Sequence, residues 1–367
     1  MSRFIQLHLL TSYPPANLNR DDLGRPKTAM MGGEPRLRVS SQSLKRAWRT
    51  SDVFEDALKG HIGTRTKEMG VRIFTALQEK GIGKKDAMDW TKLIADQFGK
   101  LKTLSAAEKK KLKELGEEER LKKEMSELEI EQLAHFSPEE RQLIEDLVSM
   151  LAERKSKPDA EELALLRKQH TAADIALFGR MLASKPFFNT EAAAQVAHAI
   201  SVHSIAIEDD FFTAVDDLNN GEDDAGAAHL GETEFAAGLF YLYVCIDKAL
   251  LVRNLSGNEG LANKTLAALI ESAATVSPGG KQNSFASRAR ASYILCETGN
   301  QQPRSLSVAF LKPVRGGDML DAAIKQLTKT ARNMDEVYGA CADQTCSMNA
   351  VAGEGSLSAI IQCATEA

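Results

Sequence analysis

The chain has only five cysteines (Cys245, Cys296, Cys341, Cys346, Cys363), and no two of them form a C-x-x-C pair. An odd, widely spaced set argues against a disulfide framework and for a reducing compartment. No histidine lies near Cys341 and Cys346 in the sequence, which argues against a zinc site. No apolar run approaches the ~20 residues of a membrane span. The apolar stretch in "MSRFIQLHLLTSYPP" is too short and interrupted for a secretory signal, so a cytoplasmic protein is expected. Positive charge is not in excess either: 46 Lys+Arg stand against 51 Asp+Glu. Any nucleic-acid binding must therefore rest on local charge. Nucleophile-elbow and P-loop patterns are missing, since "PGGKQ" lacks the Walker spacing. His198 and His203 miss the i,i+4 spacing of a helical metal pair. No internal repeat stands out, and no cofactor is expected.

What remains is a globular chain with 43% hydrophobic and 26% charged residues, whose 367 residues are enough for about two domains. Its charge is uneven. Residues 1–50 carry Arg3, Arg20, Arg25, Lys27, Arg36, Arg38, Lys45, Arg46 and Arg49 against Asp21, Asp22 and Glu34. "RVSSQSLKRAWRT" (38–50) concentrates Ser40, Ser41 and Ser43 with Arg38, Lys45, Arg46 and Arg49. Ser41 or Ser43 is expected to cap a helix whose apolar stripe is Leu44, Ala47 and Trp48. Lys45 and Arg49 then share a face with Arg46 beside them. A helix N-terminus with free N–H groups, hydroxyls and cations one turn on suits a phosphate backbone. A merely solvated basic helix end is the plainer reading; the basic loop and an outward-facing Arg36 and Arg38 tip the balance.

Along the chain, "FIQLHLL" alternates as a half-buried strand, with Gln6 and His8 on the open face. A long polar loop, "TSYPPANLNRDDLGRPKTAMMGG", and a second alternating strand, "PRLRVS", follow. Residues 60–170 are rich in helix formers, with capping boxes at "SAAE" (105–108) and "SPEE" (137–140). The dense opposite charges between them read as a solvated helical surface. "TAADIALFGRML" looks like a short strand and turn, and "EAAAQVAHAISVHSI" admits helix or strand. Residues 208–224 are acidic, without Lys or Arg. "FAAGLFYLYVCI", "SYILCE" and "SLSVAFLKPV" read as strands, and "LANKTLAALIESAATV" and "DMLDAAIKQLTKTARNMDEVY" as helices. Strands and helices interleaved around a helical insertion fit an α+β fold with a ferredoxin-like sheet.

"FIQLHLL", "LNRDD", "RLRVSSQSLKRAWR", "DIALFGRM", "FFTAVDDL", "GAAHLG" and "PGGKQ" occur in an order and spacing that resembles one family. This is the CasC, or Cas-seven, backbone subunit of the type I-E CRISPR Cascade surveillance complex. The similarity is closest over 1–50 and 171–246, looser over 275–310, and elsewhere extends only to helical character. It implies an RRM-like (ferredoxin-like) palm (1–58, 171–204 and 236–367), a helical fingers insertion (59–170) and a protruding thumb hairpin (205–235). It also implies copies stacked head to tail along the CRISPR guide RNA, with each thumb folding over the RNA held by a neighbour. Target DNA pairs with the guide, and large, small, five-prime-end cap and guide-processing subunits complete the assembly. Arg20, Lys27, Ser40, Ser41, Gln42, Lys45 and Arg49 match RNA-backbone contacts, with Arg46 in the same block. Met181 matches a methionine that wedges against a base, and Phe211, Phe212 and Thr213 match the thumb tip. The family's best-known members have Trp-Phe where this chain has Phe211-Phe212.

Taken alone, Met181 reads as a core residue. Adjacent aromatics on a hairpin point to opposite faces, so at least one of Phe211 and Phe212 should be exposed. Flanked by Asp209, Asp210, Asp216 and Asp217, they suit wedging between bases and not phosphate binding. Two other functions compete with guide binding. Asp21 and Asp22 could hold a metal and cleave RNA, or the chain could be a protein-binding adapter. The resemblance favours a subunit that is not an enzyme.

Overall fold

A computed structural model describes residues 2–111, 116–214 and 229–367. The chain forms two compact units: Met1–Ala57, Ala194–Ala249 and Asn263–Ala367 make the first, and Leu58–Ala193 with Leu250–Ala262 the second. In chain order, β1 (Phe4–Ala16), β2 (Thr28–Met31), β3 (Glu34–Val39), α1 (Ser41–Arg49) and α2 (Asp52–Ala57) open the first unit. The second unit follows with β4 (Thr64–Thr66), α3 (Met69–Glu79), α4 (Lys84–Ala95), α5 (Ala106–Lys111), α6 (Glu117–Met125), β5 (Ala134–Phe136), α7 (Pro138–Arg154) and α8 (Ala173–Phe178). Next come β6 (Ala194–Val196), β7 (Ala199–Ser201), β8 (Glu208–Ala214) and β9 (His229–Asp247), then α9 (Lys248–Asn254) and α10 (Glu259–Thr275). The chain ends with α11 (Gln282–Phe285), β10 (Ala291–Gly299), α12 (Met319–Tyr338), β11 (Gln344–Asn349) and α13 (Leu357–Glu366).

The first unit is built on an antiparallel sheet in the order β11-β10-β1-β9-β7-β3-β2, with β6 and β8 also paired to β9. An antiparallel sheet with helices makes the fold α+β. β1 lies between β9 and β10, with Leu7 opposite both Val244 and Cys296. Its central place explains why the open face expected for "FIQLHLL" is absent: Gln6 and His8 are both buried. Leu10, Tyr241, Tyr293 and Leu295 pack in one core with Phe310 and with Ala323, Leu327 and Ala331 of α12. The polar groups of β1 find partners there. Gln6 accepts from Tyr243 Oη (2.7 Å) and from the Arg304 backbone N–H (2.8 Å). His8 Nδ1 lies 2.9 Å from Tyr241 Oη and its Nε2 lies 3.1 Å from Glu297. Burial lowers the His8 pKa and outweighs the carboxylate. The ring is therefore neutral, accepting from the tyrosine and donating to Glu297. Arg304 supplies the charge that balances Glu297, at 2.7 and 3.0 Å.

Arg36, expected to face outward, is fully buried. Its guanidinium donates to the Ser201 and Phe310 carbonyls at 3.1 and 3.0 Å, so it belongs to the core and not to a basic groove. The long loop after β1 is shorter than expected, because β1 continues to Ala16 and β2 forms within the segment. "SLSVAFLKPV" forms a 3-10 turn at Ser307–Phe310, and "TAADIALFGRML" contains helix α8, ended by Gly179 at φ 81°. Periodicity alone cannot separate helix from strand in such short apolar runs. "EAAAQVAHAISVHSI" forms the short strands β6 and β7. The single helix expected over "SLKRAWRTSDVFEDALKG" (43–60) is broken between α1 and α2, where Ser51 Oγ accepts from the Phe54 N–H at 3.3 Å.

In the second unit, Ile73, Phe74, Leu77, Trp90, Ile94, Phe136, Leu147 and Leu151 share one core. Both capping boxes form: Ser105 exchanges bonds with Glu108, and Ser137 with Glu140. Residues 171–193 lie in this unit, although a return to the sheet-bearing part is expected from the sequence at 171. Cys346 of β11 and Cys363 of α13 form a disulfide, contrary to the expectation of unpaired thiols. Their 17-residue separation carries no motif; the pairing depends on α13 packing back onto β11. Among the described residues no helix is long and apolar enough to cross a membrane.

Candidate nucleic-acid interface

The loop before β2 is held by its own short polar side chains. Asn17 Nδ2 donates to the Gly24 and Glu234 carbonyls, both at 2.9 Å, tying the loop to β9. Asp21 Oδ1 accepts from the Leu23 and Arg25 N–H groups, both at 2.9 Å, in an Asx-type turn. Asp21 is thus engaged in shaping the loop, and among the described residues no group of three or more His, Cys, Asp or Glu is arranged to hold a metal. Asn19 is the clamp. Its carbonyl accepts from the Lys27 N–H (2.8 Å) and its side chain from the Ser40 N–H (2.9 Å). Arg38 N–H closes the set on the Lys27 carbonyl at 2.8 Å.

The clamp positions the start of α1. Ser40, not Ser41 or Ser43, is the N-cap, its Oγ accepting from the Ser43 N–H at 3.3 Å. Leu44 and Trp48 are buried one turn apart, which fixes the helix rotation, while Gln42 and Arg46 stay exposed. Ser41, Lys45 and Arg49 are half-buried, and burial lowers the Lys45 pKa. Arg20 is exposed and Lys27 half-buried. First-turn N–H groups together with these cations make a surface suited to an anionic backbone.

Two contributors went unassigned in the sequence. His198 Nδ1 accepts from Arg38 at 3.1 Å, and burial followed by the charges of Arg38 and Lys27 lowers its pKa. A neutral His198 thus extends the Lys27–Arg38 group, a role that its spacing from His203 does not reveal. Lys281 of "PGGKQ" donates to Thr233 of β9. A Cβ at Gly280 would lie 2.3 Å from the Leu18 carbonyl oxygen, so the glycine permits the close approach of this segment to the loop.

Phe211, Phe212 and Thr213 lie on β8, paired with Glu232, Gly231 and Leu230 of β9. All three are exposed, Phe211 at 66% and Phe212 at 43%. The Phe212 ring covers Gly231, where a Cβ would come within 2.2 Å of it, which leaves Phe211 the barer of the two. Asp216, Asp217 and the rest of the acidic segment from 215 to 228 lie outside the described residues. Met181 belongs to the second unit and is 75% exposed, against the core reading of that residue alone. It lines a cleft of about 160 Å³ with Phe98, Leu133 and Leu182. The remaining candidates are all in the first unit.

The family model for CT1975-like proteins matches residues 5–363. The chain belongs to the CT1975-like protein family. No curated protein matches it. Among solved structures, a chain of a CRISPR RNA-guided surveillance complex, pre-nicking, is similar over 99% of both chains, with a TM-score of 0.80 and 27% identity. A chain of another CRISPR RNA-guided surveillance complex has the same fold, with a TM-score of 0.71 over 99% of both chains at 23% identity. In this CT1975-like chain the loop held by Asn19, α1 and the β8–β9 hairpin each carry exposed basic or aromatic side chains.

Proposed function

We propose that the protein is a CRISPR RNA-binding backbone subunit of a type I-E Cascade complex. Several copies coat the spacer part of the guide as a helical filament and present it to target DNA. Membership of the CT1975-like family and similarity to a chain of an RNA-guided surveillance complex support this reading. The observation that carries it is the Asn19 clamp, which joins the Lys27 loop to the Ser40-capped first turn of α1. Arg20, Lys27, Ser40, Ser41, Gln42, Lys45, Arg46 and Arg49 contact the RNA backbone, and the bases stay free for pairing. In this reading the first unit contains an RRM-like palm, the helical unit the fingers, and the β8–β9 hairpin is a thumb. Phe211 and Phe212 of one copy wedge into the RNA held by the next, and Met181 supports the displaced base. The role is architectural and not enzymatic, and it is performed in the cytoplasm with the other Cascade subunits.

The test is to express the protein with a CRISPR array and purify it. Co-purifying RNA of uniform length is the expected result, and protein free of RNA would overturn the reading. Replacing Lys45 and Arg49 by Ala should lower the slope of log K against log salt by about 0.7 per lost phosphate contact.

A further inference from the structure

Residues 180–190 of the second unit form a closed loop. The Arg180 and Thr190 backbones exchange N–H···O bonds, both 3.0 Å, at its neck. The buried Arg180 side chain rivets it from inside, donating to the Phe188 carbonyl (3.1 and 3.0 Å), the Arg167 carbonyl (2.8 Å) and Glu140 (2.7 Å). Asn189 Oδ1 accepts from the Leu182 N–H at 2.6 Å, and Pro186–Phe188 make a 3-10 turn. Within this braced loop two adjacent phenylalanines have opposite fates. Phe188 packs against the helical core, whereas Phe187 is 73% exposed, edge-on to Phe188 at 5.2 Å. The Lys168 ammonium, fixed by the Asn189 carbonyl at 2.8 Å, lies 5.9 Å from the Phe187 ring centre.

A floppy loop could fold an exposed ring back onto the protein. This one is braced from inside by a fully buried ion pair, and its Phe187 ring is left 73% exposed. Besides its edge contact with Phe188, the ring has an exposed cation beside it, which fits a ligand that is flat and anionic at once. An unpaired nucleotide has that chemistry: the base stacks on the ring and the phosphate meets the ammonium. We infer that the 180–190 loop is a stacking platform for an unpaired base of bound RNA, with Phe187 as the stacking ring and Lys168 as its phosphate partner. This rests on the RNA-binding reading above and adds a contact that the basic surface of α1 does not supply.

The experiment uses the full-length chain and two probes of equal length, oligoadenylate and the same ribose-phosphate chain made abasic. Phe187→Ala should bind oligoadenylate about 5- to 150-fold more weakly and leave abasic affinity unchanged, while Phe187→Trp should restore oligoadenylate binding. Lys168→Ala should weaken both probes and flatten the salt dependence. An unchanged thermal melt for Phe187→Ala would confirm that the ring is outside the core. If Phe187→Ala binds oligoadenylate like the parent, or loses both probes equally, the stacking assignment is wrong. Reduced self-association with intact RNA affinity would assign the ring to a protein contact and overturn it too. Failure of the parent protein to bind either probe would instead overturn the RNA-binding reading on which the assignment stands.

Discussion

Each unit buries an arginine, and the two are treated differently. In the helical unit Arg180 meets a carboxylate: Glu140 takes two bonds from it at 2.9 and 2.7 Å, and neither side chain is exposed. The same carboxylate accepts from the Ser137 N–H (2.9 Å) and the Arg167 N–H (2.7 Å), so helix cap, loop and ion pair share one acceptor. In the sheet unit Arg36 donates, among the described residues, to carbonyl oxygens and to no carboxylate, its Nε has no partner there, and burial lowers its pKa against the opposing charge of Glu34. A buried charge with a full set of partners makes a rigid hub, whereas one held by dipoles is a weaker bolt.

The largest expected effect breaks the hub. Glu140→Gln leaves the Arg180 guanidinium buried without a counter-charge and should cost about 3–5 kcal/mol in denaturant unfolding. A loss below about 1 kcal/mol would mean that water reaches the pair. Acid should produce the next largest effect. Burial, followed by the Arg180 charge, lowers the His170 pKa to about 4. The folded value is below the unfolded one, so this contribution is complete above pH ~6.5 and is lost as pH falls toward about 4, amounting to about 3 kcal/mol. His8 has the same sign in the sheet unit. His170→Asn should therefore remove part of the acid sensitivity measured by thermal melts between pH 7 and 4, and leave the share due to His8.

Arg36→Met should cost less than the loss of Glu140, about 1–3 kcal/mol, because it orphans carbonyls but also removes a buried cation. A cost equal to that of Glu140→Gln would erase the distinction between the two arginines. The smallest effects sharpen it through the caps. Ser40→Ala removes a single long side-chain bond, 3.3 Å, at the start of α1 and should cost about 0.5–1 kcal/mol. Ser137→Ala removes half of a buried capping box and should approach ~2 kcal/mol, read by the same unfolding assay.

The capping box at 137–140 was legible because it is local: Ser137, Pro138 and Glu140 are enough to write it. That Glu140 would also receive Arg180 and the Arg167 N–H was not, since those partners lie 40 and 27 residues away. The basic cluster from Arg38 to Arg49 was visible as charge density, and the burial of Leu44 and Trp48 followed from helical spacing. The same reasoning failed for Arg36, because an alternating strand gives its two faces the same weight. Only the neighbours decide whether the second face meets water. The role of His198 was likewise invisible, and "PGGKQ" was legible as a motif while the contact of its Lys281 with Thr233, made across the fold, was not.

By itself the sequence determined the helices with caps and periodic apolar faces, the concentration of cations in the first fifty residues, and the pair of aromatics at 211 and 212. These depend on side chains within a turn or two of one another, where chain connectivity fixes the distances. The tertiary structure decided which strand of the sheet is central, which arginines are core and which are surface, and which of Phe187 and Phe188 is left in water. Those outcomes depend on what covers a face, and that cover comes from chain tens or hundreds of residues away: Glu140 is 40 residues from Arg180, and Phe310 is 274 from Arg36.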